Sequence, residues 1–201
     1  LPWPPGRDVP DLVTLTAHLC YGPQGIAALR VAPGLRLAPL IEGGAQERGL
    51  RAGTEPVAAV AGFGAAALLA ATEMGRRASR AAALSGRLRR GLMERVDDLI
   101  FTGHPDKRLP GHLSLCVRGV DAEAMLRELD AEGIEAASGS ACTTAVRKPS
   151  HVLEAIGVDP LTARGALTFM FGETNRDEDP EIVTATLPLV VARLREISPL
   201  R

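Results

Sequence analysis

The stretch TLTAHLCYGPQGIAALRV (residues 14–31) is the most informative part of this sequence for the fold. Its second half, GIAALRV (residues 25–31), is short, apolar and bounded by turn residues, which predicts a strand. The next apolar run, RLAPLIEGG (residues 36–44), predicts another strand that ends in a glycine turn. Pro39 within this run favours an edge position, because proline cannot donate a hydrogen bond to a neighbouring strand.

Helices and strands alternate along the rest of the chain. Residues 57–96 have helical periodicity; the first half is almost entirely apolar, which predicts burial, and the second half is amphipathic with many arginines. Asp121 is the expected N-cap of a later helix, and Pro188 is expected to kink the last one. This βαβ-like alternation predicts an α/β fold, and we place a domain boundary between residues 1–96 and 97–201. The predicted strands beyond that boundary are LIFTG, HLSLCVRG, a short strand in IEAASGSACTT that runs into a small-residue loop, and ALTFMFG.

Composition excludes several classes of function. The formal net charge of the 201 residues is −1, so nothing indicates a nucleic-acid partner or an anionic membrane. We expect no transmembrane helix, because the sequence contains no run of 18 apolar residues. Three cysteines form too sparse a set for a disulfide framework, which favours free thiols in a reducing cytoplasm. No group of cysteines and histidines has the spacing of metal ligands, so no metal site is expected.

The segment SGSACTT (residues 138–144) holds the most reactive candidate side chain. Cys142 lies among small residues between a predicted strand and a predicted helix, which leaves its thiol accessible. Arg147 and Lys148 follow closely, and positive charge favours the reactive thiolate. The alternative is an inert small residue in a turn, which is our interpretation for Cys20 and Cys116 in their apolar, strand-like surroundings.

The glycine turn GGAQERGLRAGTEP (residues 43–56) is a candidate phosphate-binding loop. It combines backbone N–H groups with the hydroxyl of Thr54 and the guanidinium groups of Arg48 and Arg51. The pattern is not that of a P-loop, so an ordinary glycine turn remains the alternative.

In this order, the motifs resemble those of the cysteine desulfurases, which are pyridoxal-phosphate-dependent enzymes of the class V aminotransferase fold. TAHLCYGPQGIAALRV resembles their Ser-x-His-Lys-x-Tyr-Gly-Pro-Lys-Gly segment, and GGAQERGLRAGT resembles their Gly-Gly-Gly-Gln-Glu-Arg-Gly-x-Arg-Ser-Gly-Thr loop. ASGSACTT with PSHVLEAIG resembles the catalytic-cysteine loop and the helix after it, and RLPGHLSLCVRGVDAEAMLRELD resembles the unit between the two loops. The resemblance covers the chain and implies the C-terminal portion of a fold-type I transferase. That portion comprises the end of the large-domain sheet, a long linking helix and a small α/β domain.

The resemblance also implies an activity in sulfur mobilisation. Such enzymes take sulfur from L-cysteine, release alanine and leave a persulfide on the loop cysteine, here Cys142. A sulfur-acceptor protein then receives the sulfur, for example in iron–sulfur cluster assembly. Thr16 and His18 match family positions at pyridoxal phosphate and its phosphate group. Thr54 matches a residue that reaches the phosphate in the other subunit, which implies a dimer.

Two departures from the family pattern change the expected chemistry. Leu19 stands where the family has the lysine that attaches the cofactor and moves a proton, and a hydrocarbon can do neither. Thr168 stands where the family has the arginine that binds the substrate carboxylate, and Met170 replaces a small polar residue nearby.

The third departure concerns the extent of the match, because the sequence begins far into the family's large domain. We expect either a longer natural chain or a partner chain that supplies the first half, in a homodimer or a heteromer. These residues alone are therefore expected to be inactive as a desulfurase. One alternative is a non-catalytic persulfide carrier or scaffold partner. The other is a pyridoxal-phosphate-dependent transferase or lyase that acts on a different substrate.

Overall fold

The computed structural model describes residues 10–139 and 150–199, and the chain divides into two compact units between Gly75 and Arg76. The first unit contains an antiparallel hairpin of β1 (Leu12–Thr16) and β2 (Ala27–Val31). The strand predicted at residues 25–31 is therefore confirmed as β2.

The strand predicted at residues 36–44 is wrong. The segment makes one isolated parallel bridge, between Ile41 and Arg51, and otherwise has no strand assignment. Pro39 removes a backbone donor that a paired strand would use, which explains why an apolar composition did not suffice.

Helix α1 (Val57–Met93) continues from the first unit into the second without a break at Gly75 or Gly86. The predicted burial of its apolar first half is not observed in the described residues, since Leu68 is 65% exposed. An 18-residue window of α1 has a mean hydropathy of 1.7, so by length and composition alone the helix could cross a membrane. The expectation of no transmembrane helix stays a prediction, although glycine and threonine interrupt the apolar run of α1 without making it polar. One helix of this kind is weak evidence for a membrane span.

The second unit is built on an antiparallel sheet of three strands in the described residues, with the order β3 (Leu99–Phe101), β4 (His112–Val117), β5 (Ala166–Met170). The fold is α/β as predicted, but neighbouring strands run antiparallel, unlike those of a βαβ unit.

Helices cover one face of this sheet completely. The second half of α1, together with α2 (Ala122–Ala131) and α5 (Asp179–Ile197), encloses the main core. Fully buried side chains from all these elements meet there: Leu88, Leu115, Met125, Leu167 and Leu187. Because the second half of α1 contributes to this core, the compact units separate within α1. The predicted division after residue 96 stays a prediction.

Two short helices cover part of the opposite face. Helices α3 (His151–Ala155) and α4 (Pro160–Ala163) enclose a small second core around Cys116 and Ala166. The N-cap prediction for α2 is confirmed, because the Asp121 carboxylate accepts a hydrogen bond from the Glu123 amide. Helix α5 continues through Pro188 as one helix.

Candidate functional site

Two of the predicted cofactor-binding residues lie in a tight turn after β1. Thr16 ends the strand and precedes a short 3₁₀ helix, Ala17–Cys20, and its hydroxyl makes no capping hydrogen bond. His18 is exposed, and Leu19 is exposed to 79%. The turn therefore presents a hydroxyl, an imidazole and a hydrocarbon side chain in close succession.

The backbone of this turn is anchored at the fully buried Ala17. The Ala17 amide donates to the Ile26 carbonyl at 3.2 Å, and the Ala17 carbonyl accepts from the Gly22 amide at 2.9 Å. A Cβ atom at Gly22 would lie 3.0 Å from that carbonyl oxygen, so a larger residue would require the turn to shift by a few tenths of an ångström. Tyr21 adopts the left-handed conformation that closes the turn, with φ of 65°. The turn keeps its anchoring contacts although the lysine is missing from position 19.

These residues fit pyridoxal phosphate only in part. The free hydroxyl of Thr16 and the exposed imidazole of His18 can donate hydrogen bonds to a phosphate oxygen. Leu19 has no nitrogen for a covalent attachment, and the two lysines of the chain, Lys107 and Lys148, belong to other segments. The residues fit a cofactor held by non-covalent contacts and do not fit a covalently attached one.

The glycine turn of the first unit is a strained loop. Glu47 and Arg48 have φ values of 50° and 60°, which non-glycine residues adopt at a cost. The Arg51 guanidinium donates to the Ala52 carbonyl at 3.0 Å, so part of its hydrogen-bonding capacity stabilises its own loop. Thr54 is exposed, which suits a hydroxyl that reaches a phosphate on another molecule.

One polar atom in this loop was not singled out by sequence analysis. The side-chain oxygen of Gln46 is buried and has no hydrogen-bond partner among the described residues. A Cβ atom at Gly44 would lie 2.3 Å from that oxygen, so a larger residue there would displace the flexible Gln46 side chain.

Thr168 lies in β5 of the second unit, beside the chain segment that leads into the cysteine loop. Cys142 itself lies outside the described residues. The Thr168 amide donates to the Ala137 carbonyl at 2.6 Å, and the Ala137 amide donates back to the Thr168 carbonyl at 3.0 Å. The position that differs from the family's arginine is therefore joined by backbone hydrogen bonds to the stem of the loop that carries Cys142.

The half-exposed face of β4 and β5 around Thr168 is polar but uncharged at its centre. Ser114 on β4 lies opposite Thr168, and His112 lies opposite Met170. The hydroxyl oxygens of Ser114 and Thr102 are 2.6 Å apart. Sequence analysis missed Ser114, His112 and Thr102 as site residues. The alternation of polar and apolar residues in HLSLCV was the signal that could have placed the first two on one face.

Cys116 has a buried thiol, in contrast to an exposed nucleophile. Burial, together with the negative charge of Asp159, raises the pKa of its thiol from 9.0 to about 11. The thiol is therefore protonated at neutral pH and enclosed by α3 and α4. Cys20 is half-buried, and its thiol donates to the Ala17 carbonyl at 3.1 Å.

Residues 9–179 match the family model "Aminotransferase class-V". A cysteine desulfurase from Gluconacetobacter diazotrophicus is 43% identical over 94% of this chain and 47% of its own length. Cysteine desulfurase IscS 1 from Archaeoglobus fulgidus is 41% identical over 94% of this chain and 50% of its own length. A solved NifS-like protein from Rickettsia africae superposes with a TM-score of 0.78 at 28% identity, covering 90% of this chain and 48% of the other. The chain thus spans about half the length of these relatives.

Proposed function

The chain belongs to the class V aminotransferase family, among relatives named cysteine desulfurases, and we propose that it acts in sulfur transfer without catalysing desulfuration by itself. In this proposal Cys142 carries sulfur as a persulfide, and the sulfur comes from L-cysteine through a desulfurase reaction. A sulfur-acceptor protein then takes it up, as in iron–sulfur cluster assembly. Free thiols suit a reducing cytoplasm, which is where we place the protein.

A single observation carries this proposal. The turn after β1 keeps the anchored backbone, the half-buried Thr16 and the exposed His18, yet it presents Leu19 to solvent where an amine would be needed. Loss of a positioned acid–base group costs about 10²- to 10⁴-fold in rate. A chain that keeps the cysteine loop without the amine is better suited to carrying sulfur than to releasing it from an amino acid.

The cofactor contacts that remain are those to the phosphate. Thr16 and His18 would hold the phosphate within one subunit, and Thr54 would contact the phosphate bound to a second subunit of a dimer. When bound, pyridoxal phosphate supplies an electron sink for carbon–sulfur bond cleavage. The described residues of the first unit can bind and orient it but provide no amine at position 19 to attach it.

Persulfide formation on Cys142 needs no net oxidation. The Cys142 thiolate attacks the outer sulfur of a donor persulfide, the donor's sulfur–sulfur bond breaks, and the donor leaves as a thiolate. Arg147 and Lys148 follow Cys142 in the sequence and favour the thiolate. Cys116 is a poor competitor because the pKa of its thiol is about 11.

The exposed apolar side of α1 supports the proposal of an assembly. Val57, Val60 and Leu68 are exposed in the first unit, and apolar surface of this kind usually marks a contact region. We propose that the remaining part of the family fold covers it, within a longer protein or from a partner chain.

A second candidate function, a transferase or lyase acting on another substrate, is favoured by Thr168 at the position of the carboxylate-binding arginine.

The test of covalent attachment compares the natural chain with Leu19→Lys, using Leu19→Gln as a polar control without an amine. Each protein is incubated with pyridoxal phosphate, reduced with borohydride and mapped by peptide mass spectrometry. Only Leu19→Lys should carry a stable adduct at position 19. A stoichiometric adduct on Lys107 or Lys148 of the natural chain would contradict the proposal of a cofactor held without covalent attachment.

The test of sulfur carriage mixes the chain with an active desulfurase and L-cysteine. Mass spectrometry should find a mass increase of one sulfur atom on Cys142, and Cys142→Ser should carry none in that peptide. If sulfur accumulates only on other cysteines, Cys142 is not the carrier.

A further inference from the structure

The half-exposed face of β4 and β5 bears on which sulfur donor this protein recognises. The strand register places four side chains on it in two opposed pairs, Ser114 with Thr168 and His112 with Met170. Met170 is 58% exposed, and the other three are half-buried. No arginine or lysine occurs in either strand, so the face offers hydroxyl groups, an imidazole and a thioether.

The arginine closest in sequence to Thr168 is engaged elsewhere. A guanidinium nitrogen of Arg164 lies 3.1 Å from a carboxylate oxygen of Asp121, which caps α2 near the start of β5. This contact directs its charge to the end of β5 that α3 and α4 cover, away from Met170 at the other end.

A second arginine, Arg108, precedes β4 and is held by its own loop. Its guanidinium donates to the carbonyl groups of Thr102 at 2.6 Å, His104 at 2.9 Å and His112 at 3.4 Å. Backbone carbonyl groups from three positions therefore fix its orientation. Neither Arg164 nor Arg108 is therefore available as a free carboxylate clamp. A third arginine, Arg176, lines the same cavity as Met170, and its guanidinium lies 3.5 Å from a carboxylate oxygen of Asp179, which offsets its charge.

A carboxylate is recognised tightly by charged donors, above all by the paired N–H groups of arginine. A half-buried row of neutral hydroxyl groups would strip water from a carboxylate without supplying a counter-charge. An amide or an unsubstituted carbon at the same place needs no counter-charge. The hydroxyl group of Thr168 can donate to or accept from an amide, whereas that of Ser114 is already paired with the Thr102 hydroxyl.

We propose that this face selects sulfur donors without a free α-carboxylate. Two sources share that chemistry: the persulfide of a cysteine residue inside a polypeptide, whose carboxyl group forms a peptide bond, and the persulfide of a decarboxylated aminothiol. In both cases the donor's sulfur–sulfur bond breaks and the donor leaves as a thiolate. The inference rests on the proposed role in sulfur transfer and specifies its substrate class. Thr168 is its specificity-determining residue, joined through Ala137 to the stem of the cysteine loop.

The experiment measures binding of S-methylated probes, which cannot transfer sulfur. The probes are S-methyl-L-cysteine, its N-acetyl carboxamide, which imitates a peptide residue, and S-methylcysteamine. Amide chemical-shift changes of Thr168 and Met170 in the ¹⁵N-labelled chain report occupancy. The natural chain should bind at least one of the two probes without a carboxylate about fivefold or more tightly than S-methyl-L-cysteine. Whichever of these two probes binds more tightly identifies the source of the sulfur donor.

Thr168→Arg should reverse this preference, since one charged hydrogen-bonding pair changes affinity by about tenfold or more. Thr174→Arg adds the same charge at an exposed position after β5 and should leave the preference unchanged. Met170→Arg, at a more exposed position of the same face, replaces Thr168→Arg if that variant does not fold.

Equal or tighter binding of S-methyl-L-cysteine by the natural chain would overturn the inference. Shifts at Thr168 and Met170 that stay absent with both carboxylate-free probes would overturn it as well. Neither result depends on Cys142, so failure of the donor preference and failure of the sulfur-carrier proposal are separate outcomes.

Discussion

The buried thiol of Cys116 predicts a specific loss of stability at alkaline pH. Its side chain is fully enclosed between β4, β5, α3 and α4, and the pKa of the thiol is raised from 9.0 to about 11. In the unfolded chain the thiol ionises near pH 9, whereas the folded chain keeps the proton until about pH 11. Between these values the unfolded state binds fewer protons, so the free energy of unfolding falls as pH rises.

The size of this loss follows from the separation of the two pKa values. One pKa unit corresponds to about 1.4 kcal/mol, and at pH 10.5 roughly three quarters of the two-unit difference is expressed. Titration of this thiol should therefore make the free energy of unfolding about 2 kcal/mol lower at pH 10.5 than at pH 8. Cys116→Ala removes the ionisable group, at a packing cost of about 1 kcal/mol at any pH.

Urea denaturation followed by circular dichroism at pH 8 and pH 10.5 measures the difference. Cys116→Ala should be the less stable protein at pH 8 and should lose about 2 kcal/mol less than the natural chain on going to pH 10.5. Other groups that titrate in this range contribute equally to both proteins and cancel. Parallel pH dependences in the two proteins would refute the reasoning.

Two further predictions concern the packing of two glycines and the cap of α2. Gly165→Ala would place a Cβ atom 2.0 Å from the Val117 carbonyl oxygen, so the free energy of unfolding should fall by about 3 kcal/mol. Gly75 lies in the middle of α1 with open space around it, so Gly75→Ala should raise the free energy of unfolding by about 0.5–1 kcal/mol. Asp121→Ala removes both the cap of α2 and the contact with Arg164 and should cost about 1–2 kcal/mol. Asp121→Asn keeps the cap and should cost less than half as much. Thermal unfolding measures all four variants, and equal effects of the two Asp121 variants would exclude the cap.

Local signals predicted several elements correctly. β2, β4, β5 and α2 follow from short apolar runs between turn residues, and Asp121 caps α2 as expected. Such features depend on neighbours within a few residues. The pattern failed where an interaction needs a distant partner: residues 36–44 have an apolar composition but pair only at Ile41, and the antiparallel order of β3, β4 and β5 depends on residues far apart in the chain.

Long-range packing also gave different burial to apolar residues of α1 that have similar sequence patterns. The first half of α1 reads as a core helix, yet its apolar side is exposed in the first unit, whereas Leu84, Leu88 and Leu92 further along the same helix are buried. Periodicity reports how wide an apolar face is, but it does not report what lies against that face. The division of the chain within α1 could therefore not be predicted from the sequence.

By itself, the sequence determined which atoms are available: no amine at position 19, a hydroxyl in place of a guanidinium at position 168, and a cysteine among small residues at position 142. These are covalent facts that no fold can change. The tertiary structure alone decided where charge and water can reach: it enclosed the Cys116 thiol, joined Thr168 to Ala137, and engaged Arg164 with Asp121. Such outcomes depend on contacts between residues distant in sequence, and burial and electrostatic interactions act through those contacts.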